Sequence, residues 1–380
     1  MDRAVRWGVW GTGAVANHVV SDFGLADGAV VQAVASRRGE RAQDFASRHG
    51  VARWYEGLGP LLDDAEVEAV YIASPNHRHF DDCLAAIGAG KGVLCEKPFA
   101  LNLRQAQEIA NTARQRQVFC MEGMWTRFIP AVVEAKRWID SGAIGAVRLV
   151  QGNFAYPAAA SPESRLFDRE CGGGALLDRG VYLISLTQQI LGAPETIRGS
   201  AWMGVTGVDE QSVYQLGYAN GALADLAASL HVRGTNEVVI YGENGRLRLC
   251  DPFYRAHRLR LQSYSRPQAD GAEQNQAKAD GLRSLAGAVR DSPGLKSLRR
   301  RLDPVLSLLQ RGRARSFPFA GNGYQFELLE ASRCIREKRT ESEVMPLEDS
   351  LGVMRTMDAL RAEWGLVYPQ DTSDQPGSLA

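Results

Sequence analysis

The stretch Val5–Val20, VRWGVWGTGAVANHVV, decides how the rest of the chain reads. Val5, Trp7, Val9 and Trp10 make a short apolar run, as in a strand buried within a parallel sheet. Gly11-Thr12-Gly13-Ala14-Val15-Ala16 follows at once, and Ala14 to Phe23 has helix-compatible composition. Strand, glycine-rich turn and helix in that order form a dinucleotide-binding fingerprint. Gly11 permits the tight turn, and Gly13 has no side chain to hold a pyrophosphate away from the backbone. Ala16 lets the helix lie close to the strand, with the helix N-terminus facing the phosphates. A strand–helix turn that binds nothing is the alternative. The opening of the chain in this context favours the nucleotide.

Working outward, Ala29 to Ala35 is the next apolar run, and Ser36-Arg37-Arg38 stands at its end. An NAD site places Asp or Glu there for the adenosine ribose. Here two arginines replace it, with Arg41 one helical turn beyond Arg37. Guanidinium forks suit a 2'-phosphate, so NADP(H) is preferred to NAD(H). A solvated helix start is the bland alternative for these arginines. Gly39 to His49 reads as a helix and Val67 to Ala73 as a strand, closed by Ser74-Pro75-Asn76-His77. Ligands of such sheets lie beyond the strand ends, so this loop should border the cofactor. His77 and His79 have no metal-ligating partners at suitable spacing and read as structural or cofactor-edge residues. Gly92 to Cys95 is the next strand, and Glu96-Lys97-Pro98 ends it, an ionisable pair placed for a cleft. Lys97 could hold a substrate hydroxyl or depress a neighbour's pKa, although a strand-end lysine taken alone is more often a surface residue. Asn102 caps a helix over Leu103 to Gln115, Val118 to Met121 finishes the sheet, and Trp125-Thr126-Arg127-Phe128 offers aromatic walls for a substrate. The first domain is therefore residues 1–125, an α/β doubly wound parallel sheet of Rossmann type.

The second half changes character. Val147 to Phe154, Thr196 to Met203, Gln211 to Tyr218, Ala222 to Leu230, Glu237 to Tyr241 and Arg246 to Leu249 read as short strands joined by glycine turns. This is an α+β domain with a large, mostly antiparallel open sheet, assigned to residues 126–335. Within it, Gly172-Gly173-Gly174 leads into a helix carrying Asp178 and Tyr182, four residues apart and hence on one face. A phenol beside a lysine ammonium has a lowered pKa and can exchange a proton near neutrality. Asp178 would orient Lys97 or bind a substrate hydroxyl, and a merely capping and packing pair stays open. Residues 265–317 have no strand pattern and carry two basic amphipathic stretches, suited to a solvated excursion, a membrane surface, an anionic substrate or a partner subunit. Tyr324 to Lys338 and Leu347 to Trp364 return as amphipathic helices, residues 336–370 lying back on the body. The tail after Gln370 reads as disordered.

In bulk the 380 residues are 45% hydrophobic and 23% charged, an ordinary globular balance. Lys+Arg and Asp+Glu number 44 each, so no global field favours nucleic acid or membrane. Six scattered cysteines suggest free thiols in a reducing compartment, and no apolar run is long enough to span a membrane. A cytoplasmic location without metal is expected.

GTGAVA, SPNHRH, EKP and GGGALLDRGVY together resemble the Gfo/Idh/MocA oxidoreductase family across nearly the whole chain. EGMWTRFIP at Glu122–Pro130, Tyr182, NGYQFELLEASRCI and MPLEDSLGVMRTMDALRAEWGLVYP are similar to its dimeric dihydrodiol dehydrogenase and NADP-dependent D-xylose dehydrogenase branch. The resemblance implies Lys97 and Tyr182 as the catalytic pair with Asp178 supporting them, and Arg37 and Arg41 on the 2'-phosphate. It implies Trp125 and Phe154 as substrate walls, a cis Lys97–Pro98 bond, and a homodimer formed through the second-domain sheets. The cofactor set becomes Gly11, Thr12, Gly13, Ala14, Val15, Ala16, Ser36, Arg37, Arg38, Arg41, Ser74, Pro75, Asn76, His79, Glu96 and Lys97. The substrate set is Trp125, Arg127, Phe154, Asp178 and Tyr182, for a sugar, cyclic polyol or diol. Arg179 departs from a place usually apolar in this branch, and either adds charge beside the helix or points to solvent. A tightly bound cofactor shuttling hydride between two substrates, or a non-catalytic NADP-binding sensor, are the rival functions.

Overall fold

A computed structural model describes residues 3–159, 164–264 and 313–371. The first sheet holds six parallel strands: β1 (Val5–Trp10), β2 (Ala29–Ser36), β3 (Arg53–Glu56), β4 (Ala69–Ile72), β5 (Gly92–Glu96) and β6 (Cys120–Gly123). Their order is β3-β2-β1-β4-β5-β6, so the chain reverses direction across the sheet between β1 and β4. That switch point opens a crevice at the strands' C-terminal ends. Helices α1 (Ala14–Asp22), α2 (Gly39–His49), α3 (Leu58–Asp63), α4 (His79–Gly88) and α5 (Leu103–Arg116) make the crossovers. Asn102 caps α5 by accepting the Gln105 N–H at 2.9 Å, as its residue type dictates. The sequence pattern passed over β3 and α3. β3 is a short edge strand with alternating exposure, and α3 is a helix of six residues.

Helix α6 (Pro130–Asp140) leads into β7 (Val147–Ala155), followed by α7 (Val181–Leu191) and strands β8 (Thr196–Met203), β9 (Asp209–Gly217), β10 (Leu223–Ser229), β11 (Val238–Gly242), β12 (Gly245–Leu249), β13 (Arg258–Ser263) and β14 (Arg313–Ser316). The second sheet runs β14-β13-β12-β11-β7-β10-β9-β8. All its pairs are antiparallel except β7 with β10. One expectation is corrected here: the segment 265–317, read as lacking strands, ends in β14, which pairs with β13. Its RARS sequence is exposed throughout, so no alternating burial announces it. The two basic amphipathic stretches of that segment and the tail lie outside the described residues.

Chain order and layers part company near the C-terminus. Helix α8 (Gln325–Arg336) packs on β1 and β2 of the first sheet. The Trp7 indole donates to Ser332 Oγ at 3.0 Å, and the buried Asp22 carboxylate accepts the N–H groups of Asn322, Gly323 and Tyr324 at 2.9–3.0 Å. Helix α9 (Leu347–Trp364) lies against α7 and β8 as well as α5, and so bridges both sheets.

Candidate active site

Gly11 has φ +110°, and a Cβ there would stand 2.6 Å from the Ala73 carbonyl oxygen, so the tight turn excludes any side chain. A Cβ on Gly13 would meet nothing within 4 Å and would project into open space. Helix α1 has no side-chain cap on its first turn, which leaves its N–H groups for a ligand. These features open onto a cleft of about 950 Å³. It is lined by Gly11, Thr12, Gly13, Ala14 and Val15 after β1, by Ser36, Arg37, Arg38 and Arg41 at the end of β2, by Ser74, Pro75, Asn76 and His79 after β4, and by Glu96 and Lys97 at the end of β5, which β1 and β4 separate from β2. Size and glycine cradle fit a dinucleotide, and exposed arginines stand beside it. Ala16 is fully buried and packs beneath the turn instead of facing the cleft. His79 is buried, with Nδ1 2.8 Å from the Pro98 oxygen and Nε2 3.0 Å from that of Ser74, so it ties two cleft-lining loops together.

Lys97 directly follows β5 and is joined to Pro98 by a cis peptide bond. Its Nζ donates to the Asp178 backbone oxygen at 2.8 Å and stands 3.5 Å from Asp178 Oδ1. The same ammonium lies 4.7 Å from the centroid of the Tyr182 ring. Asp178 occupies a π-type turn over Leu176–Gly180, where the Val181 N–H reaches back to the Leu176 oxygen. Insertion of this wide turn before α7 lets both Asp178 and Tyr182 meet Lys97. Burial alone would raise the Asp178 pKa, but Lys97, Arg165 and Arg179 outweigh it and hold the carboxyl below its usual range.

The phenol behaves otherwise than the sequence suggested. Burial pushes the Tyr182 pKa well above its ordinary value, and Tyr324 and Glu96 add to the rise. The ammonium faces the ring and the Asp178 carbonyl instead of the phenol oxygen, so it does not offset desolvation. Tyr182 is therefore held as a neutral phenol. Its oxygen accepts the Trp125 Nε1–H at 2.9 Å.

Trp125 stacks on Tyr324 at 4.6 Å between centroids, and Phe154 stacks on Tyr254 at 4.5 Å and meets Tyr182 in an edge arrangement with centroids 5.2 Å apart. Together these rings make an aromatic wall beside the Tyr182 phenol. Arg127 does not join it, which corrects its assignment to the substrate set. The guanidinium is 1% exposed, donates to Ser185 Oγ and O at 2.9 Å, and pairs with Asp349. It braces the body of the second domain. Three contributors escaped the sequence reading: Arg165, Tyr254 and Tyr324. Tyr254 follows a short loop after β12, and Arg165 lies in irregular chain before the glycine triplet, where no periodicity marks them. Among the described residues no group of three or more metal-ligating side chains comes together, and no helix is long and apolar enough to cross a membrane.

Residues 5–124 match an oxidoreductase family with an NAD-binding Rossmann fold, and residues 132–248 match the GFO/IDH/MocA C-terminal domain. A trans-1,2-dihydrobenzene-1,2-diol dehydrogenase from Danio rerio is 30% identical over 97% of this chain and 99% of its own. A 3-ketoreductase from Actinomadura kijaniata, in complex with NADP and TDP-benzene, superimposes with a TM-score of 0.74 at 23% identity, covering 95% of this chain and 98% of that one. A levoglucosan dehydrogenase in complex with NADH and L-sorbose does so with a TM-score of 0.77 at 20% identity, covering 96% and 97%. The two structures share the fold and differ in the cofactor bound.

Proposed function

Because the chain belongs to the Gfo/Idh/MocA oxidoreductase family, we propose that it is an NADP(H)-dependent dehydrogenase or reductase acting on a hydroxyl or carbonyl carbon of a sugar, cyclic polyol or diol. The observation that carries this reading is the placement of Lys97 at the end of the dinucleotide-sized cleft, bonded to Asp178 and lying on the ring of Tyr182. Gly11 to Val15 and the α1 N-terminus would hold the pyrophosphate, and Arg37, Arg38 and Arg41 the 2'-phosphate. When bound, the nicotinamide supplies or takes up the hydride.

Tyr182 is the proton donor to the substrate oxygen during reduction. Its oxygen is engaged by Trp125, which leaves its own O–H free to point at substrate. Lys97, over the Tyr182 ring, would place its positive charge near the substrate oxygen as negative charge develops there. Asp178 fixes Lys97 through its carbonyl and its carboxylate. Phe154, Tyr254 and Trp125 give the ring of a cyclic substrate an apolar face.

Pairing into a homodimer is part of the proposal. Trp202, Val213 and Leu223 are exposed along β8, β9 and β10, an apolar surface suited to a second copy. Absorbance at the nicotinamide band, followed with NADP(H) and NAD(H) across sugars, polyols and dihydrodiols, tests the activity. Turnover of any of these with either cofactor supports it; binding of NADPH without turnover of any of them would point to a sensor.

A further inference from the structure

Asp178 is ringed by cations. Its Oδ1 stands 3.5 Å from Lys97 Nζ and 3.3 Å from Arg165 Nη2, and its Oδ2 stands 3.7 Å from Arg179 Nε. One carboxylate therefore faces three positive groups. The surrounding acids do not restore the balance. Glu96 is buried, bonded by the Tyr71 hydroxyl and the Lys97 N–H, and drawn by burial toward its neutral form. Asp168 accepts the Glu170 N–H at 2.8 Å and, among the described residues, forms no ion pair with Lys97, Arg165 or Arg179, whose carboxylate partner is Asp178, and Asp251 pairs with Arg233 at 3.5 Å.

Arg179 is the unusual member. It is 6% exposed, and its Nη1 is spent on the carbonyl oxygens of Tyr156 and Ser229. Those bonds fix the guanidinium but bring no negative charge. Buried behind the aromatic wall, it is poorly screened by solvent. Arg165, by contrast, lines the cleft with about half its side chain exposed, so it can meet a ligand directly. The arginines suited to the 2'-phosphate, Arg37, Arg38 and Arg41, follow β2, which β1 and β4 separate from the β5 end that carries Lys97, so the excess at Asp178 is not explained by that phosphate.

We propose that the reacting end of the cleft selects a carboxylate-bearing substrate, a sugar acid or cyclic diol acid, whose anion docks on Arg165 with Arg179 behind it while its carbinol meets Tyr182. This rests on the oxidoreductase reading above and narrows its substrate class. The carboxylate supplies the missing negative charge, a planar guanidinium receives it with two hydrogen bonds, and the ring lies against Phe154 and Tyr254.

The test uses the full chain loaded with NADPH and two probe pairs, D-glucuronate with D-glucose and benzoate with benzyl alcohol. Binding is read by NADPH fluorescence and by the melting temperature. At least one carboxylate should bind about tenfold or more tightly than its neutral partner, and that preference should shrink as salt is raised. Arg165→Gln, on a half-exposed side chain, should remove most of the preference when both probes are titrated at saturating NADPH. Equal or tighter binding of both neutral probes overturns the proposal. So does the absence of carboxylate binding, or a preference that survives Arg165→Gln. Failure of the protein to bind NADPH at all would instead remove the reading on which the proposal rests.

Discussion

Trp125 donates its indole N–H to the phenol oxygen of Tyr182 across 2.9 Å, joining the segment just past the parallel sheet to the helix of the second domain. The bond occupies one lone pair and turns the phenol proton away from Trp125. Trp125→Phe keeps the stacking on Tyr324 and loses only the donor. Turnover should fall about tenfold, since one such bond is worth ~1–1.5 kcal/mol. Cofactor affinity should stay unchanged, and steady-state kinetics with a separate NADPH titration would show whether the two separate.

Tyr182→Phe removes the proposed proton donor. Reduction should slow by roughly 10²–10⁴-fold, the usual worth of general acid catalysis, while NADPH binds as before. The pH dependence has a definite sign. Burial raises the Tyr182 pKa above its ordinary value, so the acid form persists through alkaline pH. The reductive kcat should therefore show no alkaline fall assignable to Tyr182 up to about pH 10, the reference value for tyrosine. A fall near pH 8 that Phe abolishes would remove this assignment.

Arg37 directly follows β2, and Arg37→Ala should weaken NADPH by about 10–100-fold, the worth of a charge-assisted contact of ~1.5–3 kcal/mol. NADH, which lacks the extra phosphate, should change little. Fluorescence titration with both cofactors gives the ratio, and equal losses would show that Arg37 reads nothing on the adenosine side.

Arg127 separates bracing from substrate contact. Its guanidinium is 1% exposed and bonded on several sides. Arg127→Met should cost about 2–3 kcal/mol of stability, because the Ser185 and Val344 carbonyls lose their buried donor along with the Asp349 pair. It should leave KM for the substrate nearly untouched in the folded fraction. Thermal melts and kinetics on the same preparation distinguish these effects.

Asp209 is a buried carboxyl that accepts the Leu176 N–H at 2.7 Å, where the glycine triplet turns into the Asp178 segment. Burial raises its pKa to about 7, against a carboxylate value of 3.8 when unfolded. The folded state thus binds the proton more tightly, and stability from this group is full below the unfolded value. It declines as pH rises through the folded one, by roughly 4 kcal/mol at most. Asp209→Asn keeps an acceptor and has no charge to bury. The melting temperature of the variant relative to the parent protein should therefore rise between pH 5 and pH 8, and a constant difference would refute the assignment.

Much of the architecture is legible because it is written in local patterns. Val5–Trp10 and Gly11–Ala16 specify strand, turn and helix by side-chain size alone, and β5 followed by Glu96-Lys97-Pro98 marks a cleft edge. The meeting of Lys97, Asp178 and Tyr182 is a different matter. Spacing could bring Asp178 and Tyr182 to one helix face, but their approach to Lys97 depends on contacts across 81 residues. Resemblance, not periodicity, supplied that expectation. The Tyr182 pKa was misjudged because a lysine's effect depends on which part of the phenol it faces, and direction is absent from a sequence. Arg127 was misplaced for a related reason: a charged residue beside aromatics looks exposed until its partners, Ser185 and Asp349, are seen.

The anchoring of residues 322–324 on Asp22, with α8 laid over β1 and β2, has a practical corollary. Neither lobe corresponds to one uninterrupted piece of polypeptide. A fragment stopped after β6 would leave the α8-facing side of its own sheet wet and the Asp22 carboxylate without partners, so the nucleotide-binding half should not be obtainable by simple truncation. Grafting it onto another catalytic lobe would require carrying the distant 320–338 segment along, as a second splice.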